Sequence, residues 1–296
     1  MNSATPQNVK LGALFALVAA FMYAIAGLFV KLIGTQLPTT MTLFSRFSIA
    51  LILFLPWFLQ DKNLFKITRP FSFISRSIAA LLALACMFYT LKYISLADGL
   101  LLNNTNALFV PIVAWIMLRT KTPIVIWLLI LLGFIGVVLV LHPDQGIWKN
   151  ASLIGLASGL FGGISLVQLR QLTKTNTRQQ ILFYYFVIST VLTGLLLIFL
   201  WKTPSWHIML LLLGVGVCGA IYQYFAVLAF TYAPVRLMSI FMFLAVLIGV
   251  FLDWGLWHSI PTVLSIIGMV LIIVASIASV YIGQKILTPP VNNQSQ

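Results

Sequence analysis

The chain contains no glutamate, and its four acidic residues are all aspartates. Only 7% of its 296 residues are charged, whereas a soluble domain carries about a quarter. So few charges cannot coat a surface that faces water, which argues against a soluble globular protein. Because 61% of the residues are hydrophobic, lipid is the expected solvent for most of the chain.

The few carboxylates are also far apart in the sequence, at Asp61, Asp98, Asp144 and Asp253. They do not supply the clustered carboxylates that an integral-membrane transferase needs for a divalent ion. A glycine-rich phosphate loop with lysine and a two-histidine zinc motif are missing too. We therefore expect no enzyme activity, no bound metal and no cofactor. No acid or histidine falls mid-span, which favours a facilitator or exchanger over a proton-coupled pump.

Basic residues outnumber acidic ones by 17 to four, and the formal net charge is +13. In a soluble protein this excess would suggest nucleic-acid binding. Here the basic residues are scattered over short segments between apolar stretches and form no groove-sized cluster. They fit the basic bias of cytoplasmic loops, so no nucleic-acid partner is expected.

The apolar runs predict an all-α integral membrane protein with ten transmembrane helices. Each run is near the ~20 residues that cross a bilayer as a helix, and backbone groups in lipid must pair within their own segment. The predicted spans are 11–33, 38–59, 72–94, 98–118, 124–141, 152–172, 180–201, 206–231, 235–256 and 261–283.

Basic residues indicate the orientation of these spans. With the N-terminus in the cytoplasm, twelve basic residues fall on the cytoplasmic side, four on the outer side, and Arg46 within a span. Short loops follow this positive-inside bias. We therefore expect cytoplasmic tails at 1–10 and 284–296, and an external linker loop at 142–151.

The linker separates two halves of five spans each, 11–141 and 152–283. Because five is odd, a duplicated unit of this size crosses the membrane in opposite senses, which predicts two inverted five-helix repeats. A hinge sequence recurs in the two halves: Phe88, Tyr89 and Ala97 correspond to Tyr224, Phe225 and Ala233. In such transporters the substrate site lies near the membrane midplane, between the repeats.

Several segments resemble the drug/metabolite transporter superfamily, specifically its ten-helix members with two EamA-type domains. The similar segments are 91–97, 101–111, 230–234 and 251–254, together with Arg46 in the second helix. The resemblance covers about residues 11–283 and implies transport of small metabolites. One departure is that the Gly-Glu pair found in many members after helices four and nine is absent from 118–123 and 256–261.

Arg46 is the most distinctive candidate for the substrate site. It lies eight residues into its predicted span, roughly 12 Å below the outer interface at 1.5 Å per residue. A guanidinium at this depth is costly unless it faces protein or water. Two interpretations stay open: an anchor for a substrate carboxylate or phosphate, and an internal tie to carbonyls at a broken helix end.

Amides and phenols supply the other candidates. Asn103, Asn104 and Asn106 crowd the start of the fourth span, where Asn103 and Asn106 share a helix face. They line a cavity or form interhelical hydrogen bonds. The remaining candidates, for which packing is the alternative role, are Tyr23, Tyr89, Tyr222 and Gln223.

These observations predict a carrier that moves a small polar metabolite across a bacterial inner membrane by alternating access. The substrate is expected to be anionic or zwitterionic, of the amino-acid or nucleotide-derivative class. The alternatives are an exporter or flippase of drug-like or lipid-linked molecules, and a membrane scaffold or scramblase without a closed site. The expected partners are the substrate and the lipid bilayer, and the protein is expected to be a monomer or homodimer.

The predicted topology places both termini in the cytoplasm. A reporter enzyme that is active only outside the cytoplasm should therefore be inactive when fused after Gln284. The same reporter inserted after Asp144, in the linker loop, should be active and provides the matched control. Activity of the Gln284 fusion would contradict either the ten spans or their orientation.

Overall fold

The computed structural model describes residues 9–66, 70–119, 123–141, 150–173, 175–232, 235–259 and 261–287. Within these ranges the regular structure is helical, with eleven α-helices and one short 3-10 turn, Gly34–Gln36. The α-helices are α1 Val9–Ile33, α2 Thr39–Phe58, α3 Pro70–Thr90, α4 Leu96–Asn104, α5 Asn106–Leu118, α6 Ile124–Leu141, α7 Asn150–Leu172, α8 Arg178–Leu200, α9 Trp206–Tyr232, α10 Val235–Trp257 and α11 Val263–Leu287.

Each predicted span coincides with apolar helical structure, so the all-α prediction is confirmed. Seven helical segments are long and apolar enough to cross a membrane. Three further apolar helices are shorter in their described parts, namely Ile124–Val140, Phe241–Trp257 and Val263–Ser279. The count of ten crossings therefore stays a prediction. The linker loop and the two predicted tails lie largely outside the described residues.

The fourth predicted span, 98–118, is divided between two helices in the structure. α4 ends at Asn104, α5 begins at Asn106, and Thr105 between them is fully buried. The Thr105 hydroxyl donates a hydrogen bond to the Leu102 carbonyl at 2.6 Å. Short polar side chains that bond to nearby backbone groups compete with helix continuation. The Asn-Asn-Thr-Asn run is thus the local cause of the break.

Glycines of α7 pack directly against this break. A Cβ on Gly159 would overlap Thr105 Oγ1 and lie 2.9 Å from the Leu102 carbonyl oxygen. A Cβ on Gly163 would lie 2.9 Å from the Cβ of Phe109 in α5. Small residues allow membrane helices to approach closely. Helix α7, in the second half of the chain, therefore packs against the junction between α4 and α5 in the first half.

Most helix packing joins α1–α6 to α7–α11. α1 packs along α9, α3 along α7, α2 against α8, α4 against α10, and α6 against α11. Suppose that α1, α2, α3, the α4–α5 pair and α6 are exchanged, in that order, with α7 to α11. Each of these contacts then maps onto another contact of the same set. The set of helix contacts is thus symmetric with respect to exchange of the two halves of the chain.

A buried ion pair joins the halves where α1 and α10 end. The Lys31 ammonium lies 2.5 Å from Oδ1 of Asp253, and Asp253 is only 2% exposed. Oδ2 of Asp253 accepts a hydrogen bond of 2.9 Å from the Ala97 N–H in the first turn of α4, where the helix dipole also favours a carboxylate. Lys31 lies 4.3 Å from the centroid of the Trp257 ring. α1, α4 and α10 therefore meet at one carboxylate.

The two single substitutions in this ion pair should together destabilise the protein more than the double substitution does. Lys31→Met leaves a buried carboxylate without its cation, and Asp253→Asn leaves an ammonium without its anion, whereas the double variant leaves no unpaired charge. We expect each single variant to lower the thermal unfolding midpoint in detergent by several degrees. The double variant should lower it by less than the sum.

Lys202→Met is the matched control, because Lys202 is an exposed cation in the segment between α8 and α9. It should leave the unfolding midpoint unchanged. Strictly additive losses in the Lys31 and Asp253 variants would contradict a direct coupling between the two charges.

Candidate transport site

Four of the predicted site residues meet inside the bundle, although they lie on four different helices. The Tyr23 hydroxyl on α1 donates a hydrogen bond to Oδ1 of Asn103 on α4 at 2.6 Å. The Tyr23 ring packs against Tyr222 on α9, with ring centroids 4.9 Å apart. The Arg46 guanidinium on α2 lies 5.9 Å from the centroid of the Tyr222 ring. We call these four residues the central cluster, and both halves of the chain contribute to it.

Arg46 is the only charged member of the central cluster. It is 5% exposed, and its Nε has no hydrogen-bond acceptor in the described part of the chain. Helix α9 makes room for it at Gly219, because a Cβ there would overlap Nη1 of Arg46. The neighbouring Ser45 donates a hydrogen bond to the Leu212 carbonyl at 3.1 Å and so holds α2 against α9.

This environment leaves the Arg46 charge poorly compensated. A charged side chain inside a membrane costs several kcal/mol unless it faces water or a partner. The contact with Tyr222, at 5.9 Å, lies near the outer limit for cation–π attraction, which is worth about 0.5–2 kcal/mol at best. Arg46 and the described carboxylates form no ion pair. Water or an anion beside Arg46 would supply the missing solvation.

Asn103 links the central cluster to helix α7. Its Nδ2 donates a hydrogen bond of 3.3 Å to the Ser158 hydroxyl on α7, and that hydroxyl donates to the Gly155 carbonyl at 2.5 Å. The Tyr23 hydroxyl also lies 3.1 Å from the Met87 sulfur on α3. Tyr23 and Asn103 therefore have partners within the protein, and a ligand that bonds to Asn103 must share or replace them.

The other two asparagines point in different directions. Asn104 is buried and donates from Nδ2 to the Met242 carbonyl on α10 at 3.1 Å, so it joins the two halves. Asn106 is half-buried beside Gly162 of α7, and a Cβ added to Gly162 would lie 3.2 Å from the Cβ of Asn106. Asn103 and Asn106 thus both face α7, whereas Asn104 faces α10.

Tyr89 lies outside the central cluster. Its ring packs on Tyr93 with centroids 4.9 Å apart, and it lines a separate cavity of about 380 Å³. Lys92, Lys202 and residues 35–39 line the same cavity. Lys92 lies in the turn between α3 and α4, where burial lowers the pKa of its ammonium to about 8. The structure therefore places Tyr89 in a basic cleft near the α1–α2 turn.

Gln223 follows Tyr222 on α9, so its side chain is turned about 100° from the central cluster. It is partly exposed. The next residue, Tyr224, is 42% exposed and stacks on Phe54 of α2 with centroids 5.9 Å apart. Gln223 therefore lies on the face of α9 between Tyr222, which belongs to the central cluster, and Tyr224, which stacks on Phe54.

Sequence analysis missed Arg76 and Tyr185. Arg76 counted as one of the cytoplasmic basic residues, but the structure places it within α3 at 5% exposure. Its guanidinium lies 4.3 Å from the centroid of the Tyr185 ring on α8. The missed signal is the position of Arg76 inside the predicted span 72–94, with apolar residues on both sides of it.

Comparisons with known proteins add the class to this geometry. The sequence model of the EamA-like transporter family matches the chain twice, over residues 10–142 and 149–281. The pseudopaline exporter CntI of Pseudomonas aeruginosa is 26% identical over 275 residues, which cover 91% of this chain and 96% of that protein. A riboflavin transporter of Vibrio cholerae is 25% identical over 257 residues, 84% and 86% of the two chains. An S-adenosylmethionine uptake transporter of Rickettsia felis is 25% identical over 260 residues, 87% and 88%.

A solved structure titled "Crystal structure of protein" has the same fold, with a TM-score of 0.60 and 17% identity. The alignment covers 96% of this chain and 100% of that one. Fold, apolar helices and relatives together define an integral membrane transporter and not an enzyme. The chain belongs to the EamA-like transporter family. The resemblance and the transporter class predicted from the sequence are thereby confirmed.

Water access distinguishes a transport cavity from packed amides. In a background with Cys86→Ala and Cys218→Ala, we expect Asn103→Cys, Asn106→Cys and Gln223→Cys to react with a membrane-impermeant thiol reagent. Asn104→Cys, which replaces the amide that faces α10, should react at least tenfold more slowly and is the matched control. Equal inertness at all four positions would favour packing alone.

Proposed function

We propose that this protein is an alternating-access carrier for a small polar metabolite that bears an anionic group, with Arg46 as the anion anchor. The observation that carries the proposal is the buried Arg46 guanidinium, without a carboxylate partner among the described residues, at the contact between α2 and α9. α2 and α9 belong to different halves of the chain. A ligand bound to Arg46 would therefore touch both halves.

The arrangement of the helices supports alternating access. The family match occurs once in each half, and the helix contacts of one half correspond to those of the other. Both facts support the two inverted five-helix repeats at 11–141 and 152–283 that the sequence predicts. Repeats of this kind rock around a site at their interface. In the proposed cycle, α2 and α9 separate and close around the bound metabolite.

The chemistry of the central cluster supports a substrate with an anionic group. A guanidinium forms short, paired, charge-assisted hydrogen bonds with a carboxylate or a phosphate. The stacked rings of Tyr23 and Tyr222 offer an aromatic face next to that charge. Asn103 adds a hydrogen-bonding amide. This combination suits an amino-acid derivative or a nucleotide derivative.

The relatives support the coarse class and leave the cargo open. They are named for pseudopaline, riboflavin and S-adenosylmethionine, and include both an exporter and an uptake transporter. All are transporters, which weighs against the scaffold or scramblase alternative. The bacterial origin of these relatives supports the inner membrane as the location. The distribution of basic residues supports the placement of both termini in the cytoplasm.

Substitutions of Arg46 test the anchor. A screen of amino acids, nucleotide derivatives and organic anions for thermal stabilisation of the purified protein first supplies a transported ligand. In proteoliposomes, Arg46→Lys should weaken transport about tenfold, because an ammonium keeps the charge but loses the paired geometry. Arg46→Gln should reduce transport about 100-fold or more per folded molecule.

Lys62→Gln is the matched control for loss of a cation, because Lys62 is exposed in the segment between α2 and α3, and it should transport normally. Folded protein is quantified by size-exclusion chromatography before reconstitution, so that a loss of folding is separated from a loss of binding. Normal ligand affinity in folded Arg46→Gln protein would rule out the anchor and leave a structural role for Arg46.

A further inference from the structure

A second buried arginine lies beside the central cluster. Arg76 is 5% exposed, and its Nε and Nη1 atoms have no hydrogen-bond partner in the described part of the chain. Its only close compensating group there is the Tyr185 ring, 4.3 Å from the guanidinium carbon. A cation–π contact of this kind offsets only part of the cost of burying the charge.

The helices that carry Arg76 and Tyr185 have further unsatisfied polar groups. The Ser77 hydroxyl on α3 and the Ser189 hydroxyl on α8 are buried without a hydrogen-bond partner among the described residues. Ser189 follows Tyr185 by one helical turn, so the two side chains share a face of α8. Three helices of this region, α2, α3 and α8, pack together. Arg76 is therefore a buried charge with unused hydrogen-bonding capacity at the contact between α3 and α8.

Tyr185 connects Arg76 to the neighbourhood of Arg46. Arg76 lies over the Tyr185 ring, with its guanidinium carbon 4.3 Å from the ring centroid. Phe47, the residue after Arg46, packs edge-on against the Tyr185 ring with centroids 5.3 Å apart. Arg76 thus contacts Tyr185 directly, and Arg46 is the chain neighbour of a second residue that contacts it. Neither guanidinium forms an ion pair within the described residues.

A membrane-surface role does not account for Arg76. An arginine near a helix end normally extends its head group to the interface, which leaves the guanidinium exposed. The side chain of Arg76 instead turns inward to α8 and is almost fully covered. With only 5% of the residue exposed, little of Arg76 is open to a lipid phosphate. The charge is directed to the interior.

We propose that Arg76 is a second anion-binding residue and that the substrate is an organic dianion, one negative group of which contacts Arg46 and the other Arg76. This inference rests on the proposed function, in which Arg46 anchors a transported anion. It narrows the anionic or zwitterionic class to molecules with two carboxylates, or with a phosphate and a carboxylate. A zwitterion would place an ammonium next to a guanidinium, and the described residues offer no carboxylate there to balance it.

The first experiment sorts ligands by charge. The purified wild-type protein is tested at constant ionic strength for thermal stabilisation by zwitterionic amino acids, monocarboxylates, dicarboxylates and carboxylated phosphate monoesters. Dianions should stabilise it most. Stronger stabilisation by zwitterions or monocarboxylates, or no stabilisation by any anion, would overturn the proposal.

The second experiment compares the best dianion with its own monoamide, which has the same skeleton and one charge fewer. The wild-type protein should prefer the dianion by roughly 10- to 100-fold, the range for one charged hydrogen-bonding contact. Arg76→Gln should reduce this ratio towards one and leave monoamide binding nearly unchanged. Arg170→Gln, a substitution in the last turn of α7, is the matched control and should keep the wild-type ratio.

The two arginine variants separate failure of this inference from failure of the proposed function. If Arg46→Gln loses both ligands while folded Arg76→Gln keeps the wild-type ratio, the anchor stands and the second site is wrong. If neither substitution changes binding, both proposals are wrong. Should Arg76→Gln not fold, Arg76→Lys decides, because it keeps the charge and loses the paired geometry. Its ratio should fall about three- to tenfold, and an unchanged ratio would overturn the inference.

Discussion

The fold must accommodate the buried guanidinium of Arg46 inside a bundle of membrane helices, without an ion-pair partner among the described residues. Arg46 is compatible with the fold only because α9 has a glycine opposite it and because Tyr222 presents a ring face to the charge. These adaptations make space for the group but do not neutralise it. In a low-dielectric interior, water or an anion beside the group would lower the remaining cost. Under the proposed function, this cost links the packing of α2 against α9 to the binding of the transported anion.

Lys31 shows how the same protein treats a charge with a structural role. Its ammonium has a carboxylate partner in Asp253, and that carboxylate is fully engaged by Lys31 and the first turn of α4. Arg46 and Arg76 differ from Lys31, because no described carboxylate forms an ion pair with either of them. Under the proposed function, this difference distinguishes a cation with a structural role from one that binds the substrate.

The sequence predicted the helices and the four residues of the central cluster, because the length of an apolar run and the presence of a polar residue within it are local properties. It indicated Tyr23, Arg46, Asn103 and Tyr222, which the fold brings together. It could not show that Asn104 turns to α10 while Tyr89 faces a separate cleft, since both depend on the neighbouring helices. Arg76 was missed because its burial depends on packing against Tyr185 of α8, which the sequence of α3 does not show.

Family membership and cargo are determined by different parts of this molecule. The relatives share about a quarter of their residues with this chain over nearly its full length, yet they are named for chemically different metabolites. The shared part must therefore be mainly the helix framework, since a fold does not fix its ligand. In this chain the framework buries the guanidiniums of Arg46 and Arg76 without an ion pair among the described residues. Burial of an uncompensated charge costs more than loss of an apolar contact. Under the proposed function, the two arginines would therefore limit the cargo more than the shape of the cavity does.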